Sequence, residues 1–187
     1  MQGCIPVWLF LLPEGKQDMT DKGGVAIDQI KAMLRKDEGL SLKVYKCPAG
    51  KKTVGYGHNI EARPLPQYIA FYLSEHGEIT LEMAEYLLDM DITLAVEAAK
   101  KIIMSPGWMW LTPNRRAVMV MMVFNIGAAG FLNFHGMRAA IAARDVEGVC
   151  QHMRSSKWYR QLGGDPIGTD DGKEERPEHL IKMFREG

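Results

Sequence analysis

Residues 37–59 read DEGLSLKVYKCPAGKKTVGYGHN, and the change of hydrophobic period within and just before this stretch decides the fold. Upstream, Ile27, Ile30, Met33 and Leu34 recur at helical spacing and Gly39 is a stop signal, so a helix is predicted to end at Glu38. Downstream, Leu42 and Val44, then Val54 and Tyr56, alternate around Pro48-Ala49-Gly50, which predicts a β-hairpin. A helix therefore hands over to a hairpin at an acid, Glu38, with a thiol, Cys47, nine residues on and a hydroxyl, Thr53, six beyond that. Period-two alternation is expected to bring Cys47, Thr53 and Gly55 together near the turn.

Taken singly, each of these residues has an ordinary reading. A glutamate ending a helix is commonly a solvated charge, a lone cysteine a small buried apolar group, and a strand threonine a β-former. Taken together they offer chemistry. A carboxylate at a helix's last turn faces the negative end of the dipole, which with partial burial favours its protonated form and suits a general acid, and the thiol and the hydroxyl come from the adjacent hairpin. Asp37 does not share the helix face of its neighbour Glu38.

This block resembles the phage-type (T4-like) lysozymes, glycoside hydrolase family 24, in its Glu38, Cys47 and Thr53 spacing and in Gly55-Tyr56-Gly57-His58. The resemblance continues through Met122-Val123-Phe124-Asn125-Ile126-Gly127, Gly130-Phe131, Ser156-Lys157-Trp158-Tyr159 and Arg176 with Ile181, Phe184 and Arg185. It covers roughly residues 27–187. It implies an α+β, mostly helical, lysozyme-like fold in two lobes, a small β-hairpin lobe and a larger helical lobe, with the cleft between them. It also implies cleavage of the β-1,4 bond between N-acetylmuramic acid and N-acetylglucosamine in bacterial peptidoglycan, as in a phage or prophage endolysin. Carried over position by position, it makes Glu38, Cys47 and Thr53 catalytic. It has Glu38 protonate the leaving oxygen and Cys47 and Thr53 position or deprotonate water, or Cys47 attack as a thiolate. The low ionisation of an ordinary thiol near neutral pH favours water positioning. The resemblance also places Phe124 and Asn59 against substrate. Arg176 holds the glutamate, and His58 pairs with Asp91. Better-known members have aspartate where this chain has Cys47, and the Glu/Cys/Thr version is similar to a subgroup of phage endolysins. Two other readings keep the fold: a lytic transglycosylase using Glu38 alone, and a non-catalytic peptidoglycan-binding module.

Composition narrows the alternatives. A chain of 187 residues, 47% hydrophobic, can bury one good core, and its 23 basic and 23 acidic residues cancel. The balance gives no electrostatic case for nucleic acid. Three cysteines without a C-x-x-C pair, and five histidines without H-E-x-x-H spacing, suggest neither a metal nor a disulfide framework. No cofactor is expected, and the chain is expected to be a monomer. Gly55-x-Gly57 lacks the third glycine and the strand-to-helix setting of a dinucleotide fingerprint.

Residues 1–24 are expected to be an extension. Its apolar run Cys4–Leu12 is interrupted by Pro6, is too short to span a bilayer, and lacks a positive n-region or a cleavage site, so no signal peptide or transmembrane helix is recognised. Synthesis in the host cytoplasm and action on the wall in the periplasm are expected. The domain proper is placed at 25–187, with a hairpin lobe at about 40–62, a linking helix at about 80–103 and a helical lobe at about 104–187.

In the rest of the chain, Pro64-Leu65-Pro66 ends the hairpin region. Thr80 caps the linking helix, whose Ala84, Leu87, Leu88, Ile92 and Val96 keep helical rhythm and which carries Asp91. Thr112-Pro113 opens a helix from Asn114 to Asn125 that is apolar throughout Ala117–Phe124, the pattern of a helix at the centre of a core. Its methionines are core filler. Gly127–Gly130 breaks it. Helices follow at Phe134–Arg144 and Val146–Met153, with a turn at Trp158-Tyr159. The polar stretch Gly163–Gly172 is a loop, and a last helix, starting near Lys173 or Pro177, runs towards Arg185.

Overall fold

The computed structural model of the chain describes residues 24–47, 50–163 and 176–187. The expectations for residues 1–23, the turn residues Pro48 and Ala49, and nearly all of the 163–172 loop fall outside them. The fold is α+β and mostly helical. In chain order, α1 (Ile27–Glu38) is followed by β1 (Ser41–Lys46), β2 (Lys52–Gly55) and β3 (His58–Asn59). Next come α2 (Gln67–His76), α3 (Leu81–Ile103), α4 (Gly107–Trp110), α5 (Pro113–Leu132), α6 (His135–Ala142), α7 (Val146–Arg154), α8 (Lys157–Gln161) and α9 (Arg176–Glu186). The described residues fall into two compact units, 31–91 and 24–30 with 92–187, so α3 belongs to both.

In the first unit, the second half of α1 leads into the sheet. Gly39, at φ +68°, takes the left-handed conformation that ends the helix at Glu38. The sheet has one strand more than a hairpin: β1, β2 and β3 are antiparallel in that order, with β3 supplied by the His58-Asn59 pair. Register is the second difference. Tyr45 lies opposite Thr53 and Ser41 opposite Gly55, with an irregularity between them. Gly55 is thus at the far end of the ladder from the turn, and the expected grouping of Cys47, Thr53 and Gly55 holds for the first two only. Gly55 instead serves the core: at φ +67° its missing Cβ would lie 3.5 Å from Ala84 Cβ on α3, a close approach of strand to helix.

Two ion pairs tie α1 to α3 in this unit. Lys31 meets Asp89, and Arg35 makes a two-pronged contact with Glu85 at 2.9 and 2.6 Å. Each pair of partners is four residues apart on its own helix, so the contacts stack as rungs. Thr80 caps α3 by accepting the Met83 N–H at 3.2 Å. The sequence reading contained no α2. That helix begins after Pro66, which contributes no side-chain cap, and only Ile69 on it is buried.

The second unit is organised around α5. Thr112 accepts the Arg115 N–H and Pro113 occupies the first turn, as their residue types predict. Ala117 through Val123 are all buried. By length and composition α5 resembles a membrane span, yet these residues form the interior of a helical unit in which α5 packs on α9, α6 on α7, and α7 on α8 and α9. α5 runs past Asn125 to Leu132, and its only non-helical residue is Gly127, at φ 74° and ψ 162°. The expected break is therefore one residue wide. Arg115 locks α9 down, donating to the Phe184 and Arg185 carbonyls at 2.9 and 3.3 Å with its guanidinium over the Trp110 and Phe184 rings.

Candidate active site

The first unit holds Glu38, Cys47, Thr53, His58, Asn59 and Asp91, and the second holds Phe124 and Arg176. Glu38 is the last residue of α1 and is half-buried. Its Oε2 lies 3.5 Å from where a Cβ on Gly57 would stand, so the carboxylate lies beside Gly57 on the side that a side chain there would occupy. Gly57 has φ +84°, a backbone conformation that favours glycine, and a Cβ there would meet the carboxylate at ordinary contact distance.

One carbonyl joins the thiol-bearing residue to the hydroxyl. Lys51 O accepts the Cys47 N–H at 3.0 Å and the Thr53 Oγ1 hydroxyl at 3.0 Å. Cys47 O accepts the Gly50 N–H at 2.7 Å, closing the turn from its other side. Thr53 is only 3% exposed. With its proton committed to Lys51 O, Thr53 Oγ1 presents lone pairs, which suits it to accept a hydrogen bond from a bound water. Cys47, half-buried, continues from Tyr45 on the face that Thr53 shares.

Tyr45 is a site residue that the sequence reading passed over. It is Thr53's cross-strand partner, and burial, then the Glu38 charge, then Cys47 push its phenol above the ordinary tyrosine value. A phenol held neutral among these groups is a hydrogen-bond donor. The period-two pattern that selected Cys47 and Thr53 also places Tyr45 on their face, and was signal enough to find it.

Beyond Gly57 lies a buried polar cluster. His58 Nδ1 is 2.9 and 3.1 Å from the two Asp91 carboxylate oxygens, and His58 Nε2 donates to the Arg63 carbonyl at 2.9 Å. His58 and Asp91 are each 1% exposed. Arg63 Nη1 reaches Asp91 Oδ1 at 3.0 Å. Asn59 Oδ1 accepts the Glu61 and Ala62 N–H groups at 3.0 and 3.1 Å, so its oxygen is committed to the turn and its carboxamide nitrogen is the part suited to a ligand.

In the second unit, Phe124 is half-buried on α5 and Arg176 is the first residue of α9. A cavity of about 460 Å³ lies in this unit, and its ionisable lining residues, His135, His152 and Lys157, are all bases. Among the described residues no group of three or more His, Cys, Asp or Glu side chains has the geometry to hold a metal ion.

A mostly helical domain whose first helix ends on a glutamate beside a small antiparallel sheet has the architecture of lysozyme-like glycoside hydrolases. Comparison with known proteins places it more closely: the phage lysozyme family model matches residues 35–171, and the chain belongs to that family. It is 33% identical over 146 residues to the pre-baseplate central spike protein Gp5 of Enterobacteria phage T4, covering 71% of this chain and 25% of the spike protein. It is 34% identical over 99 residues to an endolysin of Acyrthosiphon pisum secondary endosymbiont phage 1, covering 53% of this chain and 58% of the endolysin. A probable T4-type lysozyme of Dictyostelium discoideum is 26% identical over 148 residues, 72% of this chain and 87% of that protein. The chain thus spans a quarter of the spike protein and just over half of the endolysin.

Proposed function

We propose that this chain is a muramidase that hydrolyses the β-1,4 bond between N-acetylmuramic acid and N-acetylglucosamine of peptidoglycan. The observation that carries the reading is the Glu38 carboxylate, half-buried beside Gly57, in one unit with Cys47 and Thr53, which a single carbonyl ties together. Glu38 protonates the leaving glycosidic oxygen. Thr53, its own proton held by Lys51, orients the attacking water, and Cys47 beside it shares that task. Asn59 contacts sugar, and the family resemblance assigns Phe124 to substrate binding and Arg176 to a supporting role. The basic cavity suits the acidic stem peptides of the same polymer.

Bacterial cell wall is then the partner. The relatives suggest two settings for one chemistry, an endolysin that lyses the host from within and a wall-cutting part of a phage tail. Either is consistent with synthesis in the host cytoplasm and action on the wall. The test is release of reducing sugar from purified peptidoglycan by wild type, Glu38→Gln and Cys47→Ser under reducing conditions. Glu38→Gln is expected to lose activity by about 10²–10⁴-fold, the usual worth of a general acid. Cys47→Ser, which keeps a hydrogen-bonding group, retains measurable turnover if Cys47 positions water and loses it if the thiolate attacks. Wild-type turnover in Glu38→Gln would overturn the assignment. Anhydro-muramic ends from wild type would make the chain a transglycosylase, and intact glycan a binding module.

A further inference from the structure

Arg63 is bound through all three of its polar parts. Its N–H donates to Asn59 O at 2.9 Å, its carbonyl accepts from His58 Nε2 at 2.9 Å, and its guanidinium reaches the buried Asp91 at 3.0 Å. The side chain is 33% exposed, whereas Asp91 is 1% exposed. Asp91 therefore sits between two basic groups, and His58 between two acceptors, the Asp91 carboxylate and the Arg63 carbonyl. Full pairing of His58 needs a proton on each ring nitrogen, but the guanidinium is charged at every accessible pH, so Asp91 is never left without a cation. A buried carboxylate without such a partner is strongly destabilising.

The consequence reaches the acid. His58 follows Gly57 in the chain, and the Glu38 carboxylate lies beside Gly57, 3.5 Å from where a Cβ there would stand. Whatever fixes His58 fixes Gly57 with it. We propose that Arg63 is a positioning residue for Glu38: by clamping Asp91 and the 59–63 turn, it holds the His58-Gly57 backbone at the distance that sets the carboxylate's environment. The catalytic part of this inference rests on Glu38 being the general acid, whereas the positioning part does not.

The experiment uses the whole chain with Arg63→Gln and Arg63→Lys. Arg154→Met is the control, because Arg154 forms a two-pronged ion pair with Glu178 in the other unit. Two quantities are measured: kcat and KM on peptidoglycan, and the titration midpoint of the Glu38 carboxyl by ¹³C NMR, assigned with Glu38→Gln. Expected for Arg63→Gln is a kcat about tenfold lower, the worth of one positioning hydrogen bond, with KM within about twofold and a displaced Glu38 midpoint. Arg63→Lys, which keeps a cation for Asp91 but loses the planar guanidinium, is expected to move both in the same direction by a smaller, measurable amount, and Arg154→Met to lower Tm while moving neither. A Glu38 midpoint and kcat in Arg63→Gln equal to wild type would overturn the inference. If Arg63→Gln does not fold, Arg63→Lys decides by the same midpoint, since a shorter cation that pairs less closely must displace it. Wild type that releases no reducing sugar contradicts the proposed function, and the NMR titration still judges the positioning.

Discussion

The two units bury different things. Among the described residues, the buried polar side chains, Thr53, His58 and Asp91, all lie in 31–91, whereas the interior around α5 in the second unit consists of apolar side chains such as Met119, Val120, Met122 and Phe131. Burying a polar group is costly unless it is fully paired, and burying an apolar one is favourable wherever it fits. The apolar unit can thus be explained by stability alone. The polar cluster of the sheet unit needs a second reason, and its position next to Gly57, beside the Glu38 carboxylate, supplies one.

The largest effect that separates the units is expected at Asp91. Asp91→Ala leaves His58 and Arg63 without their shared carboxylate and is expected to cost about 3–5 kcal/mol. Unlike a core truncation, it should also lower kcat in the fraction that remains folded. Denaturant unfolding and turnover measured on the same sample check both statements. Next is Met119→Ala in α5, expected to cost about 2–5 kcal/mol through lost packing and an internal cavity. Its kcat per folded molecule should stay at the wild-type value. A fall in kcat there as large as at Asp91 would erase the contrast between the units.

A smaller effect is expected to be common to both units. Glu85 and Glu178 have their pKa values lowered, in each case first by hydrogen bonds from an arginine, Arg35 and Arg154 respectively. The unfolded chain therefore binds protons at these sites before the folded chain does. Their stabilisation is present above the ordinary carboxylate range and is lost as pH falls through that range towards the lowered values. Both pairs are partly exposed, so each is worth under about 1 kcal/mol. Tm measured from pH 7 to 3 should fall less steeply in Arg35→Met and in Arg154→Met than in wild type. Smaller or similar is Thr112→Ala, which removes the α5 cap and is expected to cost about 1 kcal/mol by denaturant unfolding without touching turnover.

What the sequence revealed divides along a physical line. Features written in adjacent residues were legible: the helix stop at Gly39, the caps at Thr80 and Thr112-Pro113, the hairpin alternation, and the all-apolar helix. Features that depend on partners far along the chain were not, apart from the pair of His58 and Asp91, which the family resemblance supplied. Arg63 carries no local signature because its carboxylate lies on α3, and β3 is two residues long, too short for any alternation to register. α2 was hidden for a different reason. Its stripe of Tyr68, Ile69, Tyr72 and Leu73 is short and is blurred by the exposed Phe71, and the cap position is a proline. The catalytic candidates were a mixed case. Spacing selected Glu38, Cys47 and Thr53, but the shared Lys51 carbonyl and the approach of Glu38 to Gly57 depend on backbone geometry that no residue pattern encodes.

The central claim is that Glu38, beside Gly57, is the acid of a glycan hydrolase. Its most direct test is mass spectrometry of the products from purified peptidoglycan treated under reducing conditions with wild type and with Glu38→Gln. The account predicts muropeptides with free reducing muramic ends from wild type and at least about a hundredfold less from a folded Glu38→Gln protein. Equal product from both proteins, or glycan left intact by a folded wild type, would contradict it.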